Sequence, residues 1–432
     1  MTFKLKSLYT ATALAIGLSG SAYAGNGQID VIVKLNKDNV VGSHASKKGQ
    51  AKNVAAGLGL SAKHTYGSAI YGFSASIPEA RLKSLQNHPL VESVEIDVIH
   101  QIPDPVVQRG KPNKGGGGTP DPQTTPWGVS RVGADSNNNE GAGMHVYVLD
   151  TGVDSDHADI AGNLGNGFAA QNCKGRSCNE SWDDDHGHGT HVAGSIAAID
   201  NAIDVVGVAS EVTIHPIKIC SSRGSCPQSS TIAGLDWMIS EVQARGEAAV
   251  ANLSIGGSGS VNGTCTDSGY TGSDSYYEAY CNAKNAGIVV VVAAGNSSAD
   301  AQNYTPAGFQ DAVITVSSAK EGDDWNGFSN WGNNSASWTN NNSAPIAIAA
   351  PGGSILSLRH GGGTTTMSGT SMASPHVAGA AALYMATNPQ QLDASAFHNV
   401  RAALLNSAES TSNWNNTSGY PHSEDFLDTT GL

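Results

Sequence analysis

The sequence predicts an α/β fold with a doubly wound, mainly parallel sheet, preceded by a small α+β module, and three observations carry that prediction. From Trp127 onward, short β-branched apolar runs bounded by turn residues are interspersed with helical patterns, as expected for buried parallel strands and their crossovers. Ahead of residue 103 the run "IDVIVKLN" alternates polar and apolar residues, the mark of a half-buried strand. Between the two regions lies "PDPVVQRGKPNKGGGGTPDPQTTP", rich in Pro and Gly and without apolar periodicity, which reads as a solvated linker over 104–121.

At the N-terminus, Lys4 and Lys6 precede the apolar run "LYTATALAIGL", and Ala22 and Ala24 supply a small-x-small cleavage pattern. Residues 1–24 are therefore expected to be a signal peptide, and the protein to be secreted and extracellular. The run is too short for a permanent bilayer span. The six cysteines, Cys173, Cys178, Cys220, Cys226, Cys265 and Cys281, are an even number in a chain bound for an oxidising space. Fifteen pairings are possible; pairing of sequence neighbours is the expectation.

Residues 25–103 form the small module. Strands are expected at "IDVIVKLN", "SAIYGFSASI" and "VESVEIDVIH", with a short helix in "PEARLKSLQNHP", which the Pro78 start and the spacing of Ala80, Leu82 and Leu85 suit. Residues 122–432 form the large domain. Its strands are expected at "MHVYVLD", "VTIHPIKI", "AAVANLSI", "GIVVVVAAG" and "DAVITVSSA", with helices at "STIAGLDWMISEVQARG" and "SYYEAYCNAKNAG". Such sheets place ligands outside the carboxyl ends of their strands.

Charge limits the partners. The 432 residues carry a net −14, which argues against nucleic acid and anionic membranes. The balance is uneven: residues 1–125 hold thirteen Lys and Arg against eight Asp and Glu, and residues 126–432 hold ten against twenty-nine. The two regions read as different modules, the second with an acidic, solubilising surface.

The stretch "DDDHGHGTHVAG", residues 183–194, puts three histidines within six positions behind three aspartates. It could be a metal cluster, a solvated acidic loop or the address of a catalytic base. No HExxH occurs, and His186, His188 and His191 do not share one helical face. Two further segments at strand ends matter: "VYVLDTGVD", ending a strand in Asp150, and "SGTSMASPHVAGAAALYM", with Ser371 at the mouth of a small-residue helix. A hydroxyl, an imidazole and a buried carboxylate are the parts an acyl-transfer site needs.

In their order, "VLDTGVD", "HGTHVAG", "AAGN" and "GTSMASPH" resemble the subtilisin family of serine proteases, over essentially all of 122–385, and 25–103 resembles that family's inhibitory propeptide. The resemblance implies a secreted serine endopeptidase, made as an autoprocessed zymogen. Asp150 would orient the imidazole, His188 act as base and Ser371 attack, leaving His191 as a packed helix residue and His186 in a loop. Asn296 would stabilise the oxyanion together with the Ser371 amide; Asn252 is expected to be structural. Substrate would lie between the edges Gly224, Ser225, Cys226 and Ser254, Ile255, Gly256. Small pocket walls imply broad specificity favouring large apolar residues before the scissile bond.

A structural Ca2+ is also implied. "AIDNAIDVVGVA" resembles the family's calcium loop, with the Asn201 side chain and the carbonyls of Ile199, Ile203 and Val205 as ligands, completed by Asp159 and Gln123. At the second site used by the proteinase K branch, Ala347 stands where the aspartate should be. Partners implied are protein and peptide substrates and the propeptide, as inhibitor and folding aid, with the enzyme acting as a monomer. Two alternatives are a narrow processing protease and an inactive binding module on the same scaffold.

Overall fold

In the small module, strand β1 (Gln28–Leu35) directs Val31, Val33 and Leu35 inward, and they meet Phe73, Ala75 and Ile77 of the neighbouring strand. The computed structural model describes residues 27–37, 42–102, 121–175, 178–332 and 345–432. The expected signal peptide, and all of the expected linker except Asp121, lie outside them. After β1 come helix α1 (His44–Gly57), β2 (Ala62–Tyr66), β3 (Gly72–Pro78), α2 (Leu82–Gln86) and β4 (Val91–Ile96). The sheet is antiparallel in the order β2-β3-β1-β4, with Ala51, Ala55 and Leu85 of the helices completing its core.

Two features depart from the sequence reading. Helix α1 and strand β2 were not anticipated, because α1 buries only Ala51 and Ala55 and so carries no apolar stripe. The run "VESVEIDVIH" is not one strand. It breaks at Asp97, and its second part, β5 (Ile99–Gln101), leaves the module to pair with the large domain. Asp97 marks the break because its carboxylate accepts the Ser229 N–H, 2.9 Å away in that domain.

The large domain proceeds through β6 (His145–Asp150), β7 (Phe168–Ala169), α3 (His188–Ala197), β8 (Thr213–Lys218), β9 (Ser225–Pro227) and α4 (Gln228–Arg245). It continues with β10 (Ala249–Leu253), α5 (Ser275–Asn285), β11 (Ile288–Ala293), β12 (Ile314–Lys320), β13 (Asp324–Trp325), β14 (Ile348–Pro351), α6 (Thr370–Thr387) and α7 (Ser395–Ser407). The main sheet runs β7-β8-β6-β10-β11-β12-β13 with β14 beside β12, and only the β12–β13 pairing is antiparallel. Each expected strand falls on one of these, within a few residues.

Alternation along the strands fills two cores. Val146 and Val148 pack with Val192, Ile196 and Val377 of α3 and α6, whereas Tyr147 and Leu149 face Leu235, Ile239 and Tyr280 of α4 and α5. The order of strands reverses about β6, so a crevice opens at its carboxyl end, where Asp150 stands.

The disulfides are the three local pairs expected: Cys173–Cys178, Cys220–Cys226 and Cys265–Cys281. The second ties the segment after β8 to β9. Non-reducing peptide mapping should recover these pairs alone; crossed pairs would contradict the fold.

Candidate active site

Asp150 and His188 meet because β6 and α3 approach closely. A Cβ on Gly189 would lie 2.0 Å from the Gly152 carbonyl oxygen, so only glycine permits the approach. His188 Nδ1 lies 2.8 Å from Asp150 Oδ1 and 3.0 Å from Oδ2, with both residues buried. The Thr151 N–H donates to the same carboxylate at 2.7 Å, and the Gly189 N–H donates to Thr151 Oγ1 at 2.9 Å. A carboxylate on Nδ1 fixes the tautomer that carries its proton there. Nε2 is left with a lone pair and makes no hydrogen bond among the described residues.

The acidic run Asp183–Asp185, for which a solvated loop was one of the readings, positions this histidine. Asp184 is buried, and its carboxylate accepts from the N–H groups of His186, Gly187 and Thr190 and from the Thr190 hydroxyl at 2.6 Å. Burial pushes the Asp184 pKa up, but these donors outweigh it and hold the carboxyl below the ordinary range. A buried anion thus serves the orphan amides at the start of α3, because Gly187, with φ 106°, has no side chain to do so. Asp185 pairs with buried Lys218 at 2.6 Å. His191 is a packed helix residue whose Nε2 lies 3.1 Å from the Ile355 carbonyl, and burial lowers its pKa to about 3. His186 sits in the loop before α3.

Ser371 lies in the first turn of α6 and is buried. Its hydroxyl donates to the Ser254 carbonyl at 3.2 Å rather than to His188. Ser254 holds the turn from its other side, since its Oγ donates to the Ser371 carbonyl at 2.9 Å and receives the Asn252 amide at 3.0 Å. Asn252 thus has the structural place expected of it.

Asn296 is oriented by Thr370, which motif reading overlooked although it lies within "GTSMASPH". The Thr370 N–H and hydroxyl donate to Asn296 Oδ1 at 2.9 and 2.8 Å, turning Nδ2 the other way. A Cβ on Gly369 would stand 3.1 Å from Asn296 Nδ2 and 3.6 Å from the Ser371 nitrogen. The two donors therefore border one small space beside the hydroxyl. Next to it opens a cavity of about 450 Å³ lined by Ile255, Gly256, Ala293, Gly295, Asn296 and Ala307, among others.

Both expected substrate edges are covered by the chain's own β5. His100 faces Cys226, Gln101 faces Ser225 and bridges to Gly256, and the Ile102 N–H donates to the Gly224 carbonyl at 2.9 Å. The strand runs antiparallel to both edges. A peptide laid in the same register carries the position after Ile102 opposite Ser254, beside Ser371.

The expected calcium ligands also gather. Residues 122–124 bridge to Ile203 and Val205, and Gln123 Nε2 donates to the Ile199 carbonyl at 3.1 Å. Asp159 accepts from Asn201 Nδ2 at 2.6 Å and from the Val205 N–H at 3.1 Å, while Asn201 Oδ1 receives the Ile203 N–H at 2.7 Å. Asp159 is wholly buried, and among the described residues no lysine or arginine pairs with it. Burial, with Asp204 nearby, pushes its carboxyl up to about 6. A buried carboxylate with the side-chain amide of Asn201 against it, and Gln123 on the nearby Ile199 carbonyl, fits a hard cation, provided the two amides turn their oxygens toward the ion. Among the described residues no cluster of three or more acidic, His or Cys side chains suits a metal, so one carboxylate with neutral oxygens would have to serve.

A family model described as "Subtilase family" matches residues 141–421, and one described as "Peptidase inhibitor I9" matches 30–103. The chain is 35% identical over 354 residues to "Subtilisin-like protease 4" of Trichophyton rubrum, spanning 79% of this chain and 76% of that one. It is 34% identical over 334 residues to "Proteinase R" of Parengyodontium album, spanning 75% and 72%. Among solved structures, "Crystal structure of a cold adapted subtilisin-like serine proteinase" is similar at a TM-score of 0.53 and 33% identity, covering 68% of this chain and 92% of that one. Among the described residues no helix is long and apolar enough to cross a membrane.

Proposed function

Because the chain belongs to the subtilase family of serine proteases, we propose that it is a secreted, autoprocessed endopeptidase of broad specificity whose chemistry is carried by Asp150, His188, Ser371 and Asn296. The observation that carries this reading is the convergence of a carboxylate-bound imidazole with a free Nε2, a helix-mouth hydroxyl and two donors around one space.

The Ser371 hydroxyl turns from Ser254 toward His188 Nε2 and gives up its proton as Oγ adds to the substrate carbonyl. Asp150 stabilises the imidazolium so formed. Charge develops on the carbonyl oxygen within reach of Asn296 Nδ2 and the Ser371 N–H, donors held in place before reaction and therefore needing little reorganisation. His188 then protonates the departing amine, leaving an acyl-enzyme, and the same imidazole activates the water that hydrolyses it. The cavity of about 450 Å³ between small walls suits a large apolar side chain on the residue before the cut bond.

Residues 25–103 act in this reading as an inhibitory propeptide, seated as a product-like strand by β5. A calcium ion held by Gln123, Asp159, Asn201 and the carbonyls of Ile199, Ile203 and Val205 would tie the mature N-terminal segment to the domain.

Asn296→Ala should lower kcat by about 10²–10³, the range that loss of the corresponding donor produces in subtilisin, with KM nearly unchanged. Steady-state kinetics on a chromogenic peptide check this. An unchanged kcat would remove Asn296 from the mechanism.

A further inference from the structure

We propose that the cage around His100 is a recognition pocket that selects an imidazole three residues ahead of the last residue before the cut bond; the inference rests on the proteolytic reading above. The register fixes the position. His100 faces Cys226, Gln101 bridges to Gly256, and two places beyond Gln101 the antiparallel pairing reaches Ser254 beside Ser371.

The cage is chemically specific. His100 is 1% exposed. Its Nε2 lies 3.3 Å from the Gln228 amide nitrogen and 3.4 Å from Thr305 Oγ1, and its Nδ1 lies 3.3 Å from the Tyr276 hydroxyl. Tyr276 stands edge-on to the ring with centroids 5.2 Å apart, and a Cβ on Gly257 would come within 2.9 Å of Cδ2. A neutral imidazole satisfies these partners by accepting at one nitrogen and donating at the other. Leucine or phenylalanine would leave the buried Thr305 hydroxyl and the half-buried Gln228 amide facing carbon, which is how a polar pocket rejects an apolar occupant.

The cage also favours the uncharged ring. Facing it are Tyr276 from α5, itself bonded to Tyr280, Gln228 from α4, and Thr305; none is charged near neutrality. Burial accordingly lowers the His100 pKa to about 4. A substrate histidine, near 6.5 when free, must therefore shed its proton to enter, and binding weakens as pH falls from 6.5 toward 4.

The processed enzyme should be assayed on X-Ala-Ala-Phe anilides with X as His, Leu, Phe or Lys. At pH 8, kcat/KM for His should exceed that for Leu by about tenfold. Between pH 8 and pH 5 the His-to-Leu ratio should fall about thirtyfold, while the Phe-to-Leu ratio stays level. Gln228→Leu combined with Thr305→Val should abolish the preference for His. Equal rates on His and Leu, or a ratio indifferent to pH, would overturn the proposal. A second measurement needs no turnover: in the full-length Ser371→Ala chain, His100→Leu should raise hydrogen exchange at the Ile102 amide by about tenfold. Unchanged exchange would also overturn the proposal. A chain that cuts no peptide yet shows this exchange shift would refute proteolysis and retain the pocket.

Discussion

Ser371→Ala is expected to yield an intact, folded, unprocessed precursor that does not digest casein. Among the described residues the hydroxyl makes one hydrogen bond, to the Ser254 carbonyl at 3.2 Å, so its loss should cost the fold only about 1 kcal/mol. The chemical loss is far larger, because His188 and Asp150 have nothing to activate once the nucleophile is gone. In subtilisin, for which the family is named, removing the nucleophile costs about 10⁶ in turnover, and the same scale is expected here. The precursor should persist because β5 already occupies both of the proposed substrate edges and, without the nucleophile, cannot be severed from the large domain. Intact mass of the purified variant and a casein assay decide the matter. A variant that still trims itself, or still digests casein, would move the nucleophile elsewhere.

How much of this could be read in the sequence depended on whether the relevant contacts are local. Strands of the large domain were readable because each is a short apolar run buried on both faces, and the proposed triad of Asp150, His188 and Ser371 could be named because each member sits in a tight motif at a strand or helix end. Asp184 was not readable. Its four donors lie within six residues, yet only the folded turn shows that the carboxylate points inward rather than at water. Thr370 escaped notice for a similar reason, since its partner Asn296 is 74 residues away. The break at Asp97 depends on Ser229, 132 residues distant, and the strand propensity of "VESVEIDVIH" carries no trace of it. The cage around His100 draws on α4, α5 and Thr305, which nothing in the sequence places together.

Withdrawing calcium should lower the thermal tolerance of the mature enzyme without touching the triad. Residues 122–124 reach the domain through bridges to Ile203 and Val205 and through Gln123, which meets the Ile199 carbonyl. On their own these are a few exposed hydrogen bonds, the kind of contact that frays first. A cation shared by Gln123 and the buried Asp159 would fasten that segment to the loop at 199–205, and it would compensate a carboxylate that burial otherwise pushes toward protonation. At a thousand times its dissociation constant, such an ion adds about 4 kcal/mol to folded-state stability, which for a domain of this size is roughly 6 °C in Tm. EDTA should therefore lower Tm by that amount and hasten autolysis, while kcat measured before unfolding stays unchanged. Asp159→Ala should lower Tm similarly, but that result alone would not distinguish a lost ligand from a damaged core. The combination does: if Asp159 holds the ion, EDTA should have almost no further effect on the variant, because both changes remove one interaction. Full additivity of the two would place the ion elsewhere. A mature N-terminus that begins after Gln123, or a Tm indifferent to EDTA, would remove the ion from the account altogether.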